Sequence, residues 1–427
     1  MFALPKFEPQ NFTLGSGTLQ PDPVIMSTGH VDTAVYTSPE RFAAETELFG
    51  KVWLNIADVA DVANPGDWIV RDVHCRSASV LIWRDKQGKL RAFHNICTHR
   101  GMKLVWGESG NSLRFSCPYH AWAFGADGRL KAVPDEGCFP GLDKEASALR
   151  PVNLGVWEGF IFINLDPEPR QTLAEYLAPV SARFQNLPFK DFPHRVTMKQ
   201  VIDTNWKLGL EAQSESYHIR ALHSRTVSGM VSTTANPFCH PLFWEALGQH
   251  RTWSTAINPE YELSDTRPVQ KYSFLHSAQL VGATDADPTQ EKADGFNGRE
   301  AIDRGDPASW GSDQMVLFPH AQINAGSNGC WLNRFQPISP DRCEWEAVYY
   351  YRTPSSHSEV FSQIYALAFN RDTLIEDNGA IERQQAVLKS GAVPYIQFGE
   401  QEMMCRHSAA VVQGAVDGLM PIAVAAE

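Results

Sequence analysis

Residues 97 to 120 carry Cys97-x-His99 and, after seventeen intervening residues, Cys117-x-x-His120. Thiolate and imidazole together suit zinc, copper or an iron–sulfur cluster. Structural zinc sites space paired ligands by two to four residues. Cys-x-His is tighter than that, and each pair contributes one sulfur and one nitrogen. Loops of this kind suit a two-iron cluster in which two Cys hold one iron and two His the other. A second stretch, "EAQSESYHIRALH", gathers Glu211, Glu215, His218 and His223. At about 3.6 residues per turn, Glu211, Glu215 and His218 share one helical face. His223 would lie about 140° round from His218, so a break or bulge is expected between them. Two His and one carboxylate form the open-sided triad of non-haem Fe(II) sites that bind O₂. The acid must come from far along the chain, where "RDTLIEDNGAIERQQ" offers Asp372, Glu376 and Asp377.

These residues need elements to hold them. Residues 1–45 read as an N-terminal arm followed by a helix start, with Ser38 as the N-cap of "PERFAAETELFG". From 46 to 167 short runs such as "ASVLIWRD", "LRAFHNI", "RFSCPYHAWAFG" and "GFIFINLD" are rich in β-branched and aromatic residues. They predict a small all-β domain that contains the first metal motif. Residues 168–427 open with a Pro-flanked helical linker (168–188). The helical stretch bearing the second motif, strand-like runs and a late long helix follow. Helices beside an antiparallel sheet make this an α+β domain. A polar loop near 282–312, rich in Gly, Asp and Pro, reads as a lid or a disordered connection.

The bulk numbers bound the function. The 427 residues suffice for two or three domains with large cores. A formal net charge of -12 argues against nucleic acid or an anionic membrane as partner. Eight scattered cysteines are not a secreted disulfide framework. No signal-peptide pattern and no membrane-length apolar run is visible, so a cytoplasmic location is expected.

"CTHRG" and "CPYHAW", at this spacing, resemble the Rieske domain of ring-hydroxylating non-haem iron oxygenases, in their large (α) subunit. Met102 and Tyr119 stand where respiratory Rieske proteins carry an extra disulfide-forming pair, so the resemblance is to the oxygenase type. It implies a Rieske [2Fe–2S] cluster on Cys97, His99, Cys117 and His120. It also implies a mononuclear Fe(II) on His218, His223 and Asp377, chosen because Asp377, Glu382 and Gln385 match the family's late helix. Glu215 would bridge His218 to His120 of the partner subunit, passing electrons around a head-to-tail homotrimer, with or without a β subunit. "NWK" at 205–207 matches the family, whereas Ala212 departs from the Asn common there. The implied fold is a Rieske β-domain joined to a helix-grip (START-like) catalytic domain. The implied activity is that of a terminal oxygenase. It uses O₂ and electrons from NAD(P)H, delivered by a flavin reductase and/or ferredoxin, to dihydroxylate, monooxygenate or demethylate a small aromatic or largely apolar molecule. Gln213, Phe318, Asn324 and Trp331 are expected at the pocket, and no Arg clamp for a carboxylate stands out. An electron carrier or redox sensor with a non-catalytic C-terminal domain is the alternative, against which the His218/His223 pair argues. A zinc hydrolase would lack its His-Glu-x-x-His signature.

Overall fold

The computed structural model describes residues 4–14, 17–184, 192–274, 310–326 and 329–419. Most of the expected polar loop at 282–312 lies outside them. The chain forms two compact units, Thr46–Tyr176 and a second made of Met1–Glu45 with Leu177–Glu427. Two expectations change. The N-terminal arm is part of the larger unit, tied to it by bonds such as Thr33 Oγ1 to the Val393 carbonyl at 2.8 Å. The linker helix is two short helices, Leu173–Tyr176 and Ala178–Arg183, divided by the unit boundary. Leu177 and Pro179 fall between and at the start of these turns, where a proline fits only the first turn of a helix.

The smaller unit is mainly β. Its seven-stranded antiparallel sheet runs Leu54–Asp58, Phe160–Asn164, Pro151–Trp157, Leu90–His94, Ala78–Arg84, Asp67–Val73, Ser109–Asn111. A three-stranded sheet runs Leu130–Ala132, Ala123–Gly125, Arg114–Ser116. The turn at "DKQGK" (85–89) is fixed by Asp85, whose Oδ1 accepts the Gln87 and Lys89 N–H groups at 3.0 and 2.9 Å. Trp68, Leu81, Trp83, Phe93, Trp122 and Phe124 fill a core that also contains the side chains of Cys97 and Cys117.

The larger unit is built on a seven-stranded antiparallel sheet. Its order is His194–Ile202, Arg342–Tyr351, Gly329–Ser339, Ala321–Gly326, Trp310–Leu317, His250–Ala256, Phe243–Leu247. The helix Trp206–Ala212 packs on the Gly329–Ser339 and Arg342–Tyr351 strands and on the long helix His357–Leu388. Gly209 permits that close approach, since a Cβ there would stand 2.4 Å from the Phe335 ring. Asn205 caps the short helix, accepting the Lys207 N–H at 3.0 Å, while its own N–H goes to Gln385 Oε1 at 2.9 Å. The long helix starts at Ser356, whose hydroxyl accepts the Glu359 N–H. It buries Ala366, Asn370, Leu374, Asp377, Ile381 and Gln385, a stripe at three- and four-residue spacing. Asp377 therefore faces inward because of where it falls on the helix. Among the described residues no helix is long and apolar enough to cross a membrane.

Candidate metal centres

The two Cys/His loops have the same backbone. Gly101 N–H donates to the Cys97 carbonyl and Ala121 N–H to the Cys117 carbonyl, both at 2.9 Å. The Cys97 N–H reaches the Met102 carbonyl at 2.7 Å and the Cys117 N–H reaches the Trp122 carbonyl at 2.8 Å. Gly101 and Ala121, each four residues after its Cys, both take positive φ (74° and 57°). The repeated fold sets the two sulfurs together and the two imidazoles together. The Cys97 and Cys117 thiols are buried and within hydrogen-bonding range of each other, and burial foremost pushes Cys97 up to about 11. The His99 and His120 rings lie 4.7 Å apart, and His99 stacks on Trp122 at 4.7 Å. His99 Nδ1 is buried with no hydrogen-bond partner.

In the larger unit the helix expected across Glu211–His218 is absent. The helix ends at Ala212, and a separate turn spans Ile219–Leu222, with His218 and His223 as its flanking residues. The break is thus earlier than the one expected between the two His. Side chains compete for the backbone there: the Glu215 carboxylate accepts the Tyr217 and His218 N–H groups, and Ser216 Oγ bonds the Cys239 carbonyl. Glu211 does not join the group. Its carboxylate accepts the Tyr36 hydroxyl at 3.0 Å inside the core. Burial foremost lifts Glu211 to about 8, against the lowering effect of Tyr36, Lys207 and Arg251.

His218, His223 and Asp377 converge, with their ligand atoms within 4.8 Å of one another. Asp377 Oδ1 stands 2.9 Å from His223 Nε2 and 3.4 Å from His218 Nε2. That oxygen is buried and aligned for no hydrogen bond. Each ring uses its other nitrogen outward: His218 Nδ1 contacts Glu215 Oε1, and His223 Nδ1 contacts Glu376 Oε2 at 2.6 Å. Thr226 Oγ1 holds Glu376 at 2.9 Å, and Gln213 Nε2 donates to Asp377 Oδ2 at 3.0 Å. A carboxylate on Nδ1 of each ring leaves both Nε2 lone pairs aimed at one point beside an unpaired carboxylate oxygen, which is the arrangement a divalent ion needs. Burial lowers the affinity of His218 for a proton, but Glu215 and Asp377 outweigh it and raise the group to about 9. A field that favours a proton there favours a cation as well.

Of the four expected pocket residues, Gln213, Asn324 and Trp331 line a cavity of about 100 Å³ against the triad. Phe318 does not. It lies past the end of the Trp310–Leu317 strand, and its N–H is tied to His250 Nδ1 at 3.0 Å. Of the acids left open, Asp377 enters the triad, Glu376 backs it, and Asp372 is exposed and paired with Arg371. Gln314 and Tyr349 also line the cavity. No spacing in the sequence marks them, because strand register alone brings them there.

Residues 188–418 match the sequence model described as the ring hydroxylating alpha subunit (catalytic domain), and residues 52–147 match the Rieske [2Fe–2S] domain. The chain is 31% identical over 228 residues to the anthranilate 1,2-dioxygenase large subunit of Acinetobacter baylyi, covering 51% of this chain and 47% of that one. It is 33% identical over 191 residues to the carnitine monooxygenase oxygenase subunit of Escherichia coli K12, covering 44% and 50%. It is 33% identical over 200 residues to biphenyl 2,3-dioxygenase subunit alpha of Rhodococcus jostii, covering 45% and 42%. The matches thus span about half the length of these relatives. The fold is that of naphthalene 1,2-dioxygenase from Rhodococcus sp. bound to indole (TM-score 0.72, 20% identity, 93% and 96% covered). It is also that of a quaternary ammonium Rieske monooxygenase in complex with gamma-butyrobetaine (TM-score 0.69, 20% identity, 91% and 97% covered).

The two domains imply a Rieske cluster and a mononuclear iron, and the residues present fit both. Among the described residues, the triad is the only group of three or more metal-binding side chains converging within 4.8 Å. The paired loops present a thiol pair and an imidazole pair, which a two-iron cluster takes up one pair on each iron. With a Rieske domain joined to that catalytic domain, the chain belongs to the ring-hydroxylating oxygenase alpha-subunit family.

Proposed function

We propose that the chain is the terminal oxygenase of a multi-component Rieske system, hydroxylating a small aromatic or largely apolar molecule. The observation that carries this is the triad: two Nε2 atoms and a buried, unbonded Asp377 Oδ1 converge while both Nδ1 atoms are held from behind. Cys97, Cys117, His99 and His120 would hold the cluster, and His218, His223 and Asp377 the mononuclear iron. When bound, the cluster supplies electrons singly and the mononuclear iron supplies O₂ activation at its open positions. The protein's own part is positioning. Glu215 and Glu376 fix the ring tautomers, Gln213 fixes the Asp377 carboxylate, and Ile219, Val227, Val231 and Leu374 give the cavity its apolar wall. Among the described residues the lining beyond Glu215, His218, His223 and Asp377 is uncharged, with no lysine or arginine, which supports a neutral substrate. Electrons would come from NAD(P)H through a flavin reductase and/or ferredoxin, and Glu215 would face His120 of the partner subunit in a homotrimer.

The test is a metal count with a turnover assay. The purified protein is expected to contain about three irons and two acid-labile sulfides per chain. With a surrogate reductase it should consume O₂ in a substrate-dependent manner, with product mass separating dihydroxylation, monooxygenation and demethylation. Zinc in either site, or O₂ uptake that persists in His223→Ala, would refute the proposal.

A further inference from the structure

Gln314, Asn324, Trp331 and Tyr349 sit on four neighbouring strands. They are direct partners in register: Gln314 opposite Asn324, Asn324 opposite Trp331, and Trp331 opposite Tyr349. Directly opposed residues share one face of an antiparallel sheet. All four line the cavity that also holds the triad. The row is therefore a single transverse wall facing the iron-binding side chains.

Two of its polar atoms have no partner. Asn324 is 3 % exposed and Tyr349 2 % exposed, yet Asn324 Oδ1 and the Tyr349 hydroxyl make no hydrogen bond. Buried polar atoms are normally paired, by protein or by ordered water, and leaving one bare is costly. By contrast, Gln314 Oε1 accepts from Gln322 at 2.6 Å, and Gln213 Nε2 is committed to Asp377. The charged groups that line the cavity are Glu215, His218, His223 and Asp377, which are bound up with one another. Among the described residues no lysine or arginine lines it. What the wall offers a ligand is thus one carbonyl acceptor and one hydroxyl, uncharged, across the cavity from the triad.

We propose that Asn324 and Tyr349 form a neutral hydroxyl-recognition subsite, and that the substrate is a small apolar molecule bearing one uncharged hydroxyl. Asn324 and Tyr349 flank Trp331 in the register, so a substrate hydroxyl at this row is offered an acceptor at Asn324 Oδ1 and a donor at the Tyr349 hydroxyl. Its apolar remainder lies against Trp331, Val231 and Leu374, toward the triad. A ligand without the hydroxyl displaces water from these two groups and leaves them bare. A carboxylate finds no counter-charge, and a quaternary ammonium finds acids already committed to imidazoles. The inference rests on the oxygenase reading and narrows its substrate class.

Four single-ring probes separate the possibilities: p-cresol, p-xylene, p-toluate and benzyltrimethylammonium. Binding to the iron-loaded protein is measured by calorimetry under anaerobic conditions, without turnover. The expected result is p-cresol binding at least tenfold tighter than each of the others. Tyr349→Phe and Asn324→Leu should each bring that preference toward parity, weakening p-cresol binding and leaving p-xylene bound as tightly as before or more tightly, because a bare polar atom is removed. Retention of the Rieske visible spectrum and full iron content in both variants shows that the fold and the centres survive. Equal affinity for p-cresol and p-xylene, including no binding of either, overturns the proposal, as does tightest binding of the anion or the cation. A p-cresol preference that persists in both variants overturns it too. Failure of the oxygenase reading looks different: the protein then lacks mononuclear iron whatever the probes do.

Discussion

Gln213 reaches Asp377 Oδ2 at 3.0 Å, and its own carbonyl accepts from Gln322 Nε2 at 2.6 Å. The carboxylate is thereby held with Oδ1 toward the two imidazoles. Gln213→Leu keeps the volume and removes the donor. Loss of such a supporting bond typically costs ten- to a hundredfold in metal affinity, so iron titration of the apoprotein should show a drop of about that size. The cluster spectrum should not change. An affinity equal to wild type would assign the bond no role. Glu211 makes a separate prediction in pH. Its folded-state value, about 8, lies above the ordinary 4.5, with burial the main cause. The folded protein therefore holds this proton more tightly than the unfolded chain. The stabilising contribution is complete below about pH 4.5 and is lost as pH rises through about 8. Glu211→Gln keeps a neutral partner for Tyr36 and removes the titration. Relative to the variant, wild type should lose up to about 1.4 kcal/mol of stability per pH unit in that window. Urea unfolding of both proteins at pH 5.5 and 7.5 measures the difference, and parallel pH dependence would rule the assignment out.

The paired loops and the triad differ in how far they can be read without coordinates. Cys97, His99, Cys117 and His120 lie in two short loops, so spacing alone announces them. The loops' shared left-handed residue is a finding of the structure. Gly101 and Ala121 occupy equivalent positions, and a Cβ at Gly101 would meet only Ile96 Cδ1, at 3.7 Å. The cost of a side chain at Gly101 is thus conformational rather than steric. Gly101→Ala should lower the stability of the cluster domain by about 1–2 kcal/mol, whereas Ala121→Gly should raise it by up to about 1 kcal/mol. The midpoint for loss of cluster absorbance in chaotrope reports both, and opposite signs are required. The triad was only partly legible. His218 and His223 stand close in sequence, but the helix expected to carry Glu215 and His218 stops at Ala212, and Glu215 and Ser216 take up nearby backbone groups instead. Spacing rules assume a continuous helix and placed Glu211 beside Glu215, where the fold instead sends it to Tyr36. Asp377 needed the family's late-helix pattern, since Asp372 and Glu376 are as close in sequence and differ only in their position around the helix. Tyr349 and Gln314 were invisible because pairing between strands, not proximity along the chain, sets them beside Asn324 and Trp331.

At the scale of the whole molecule the open question is which chain's cluster serves which iron. Glu215 holds His218 through Nδ1 and remains partly exposed beside it, with 11 % of its side chain accessible. A carboxylate so placed can accept a second imidazole N–H, and the proposed homotrimer would supply it from His120 of the partner subunit. Electron transfer between chains has a consequence that transfer within a chain does not. Cys97→Ser removes the cluster and spares the triad, while His223→Ala removes the mononuclear iron and spares the cluster. Each variant alone should be inactive. Co-expressed in equal amounts, they assemble at random into mixed rings. An interface works only where the intact cluster of the His223→Ala chain faces the intact triad of the Cys97→Ser chain. In a head-to-tail ring this arises at about one interface in four, so the mixture should recover about a quarter of wild-type substrate-dependent O₂ uptake. Transfer confined to one chain gives none, because no single chain then holds both centres. Adding Glu215→Gln to the Cys97→Ser chain should abolish most of the recovered rate without changing its iron content, and a recovered rate that ignores this change would remove Glu215 from the path.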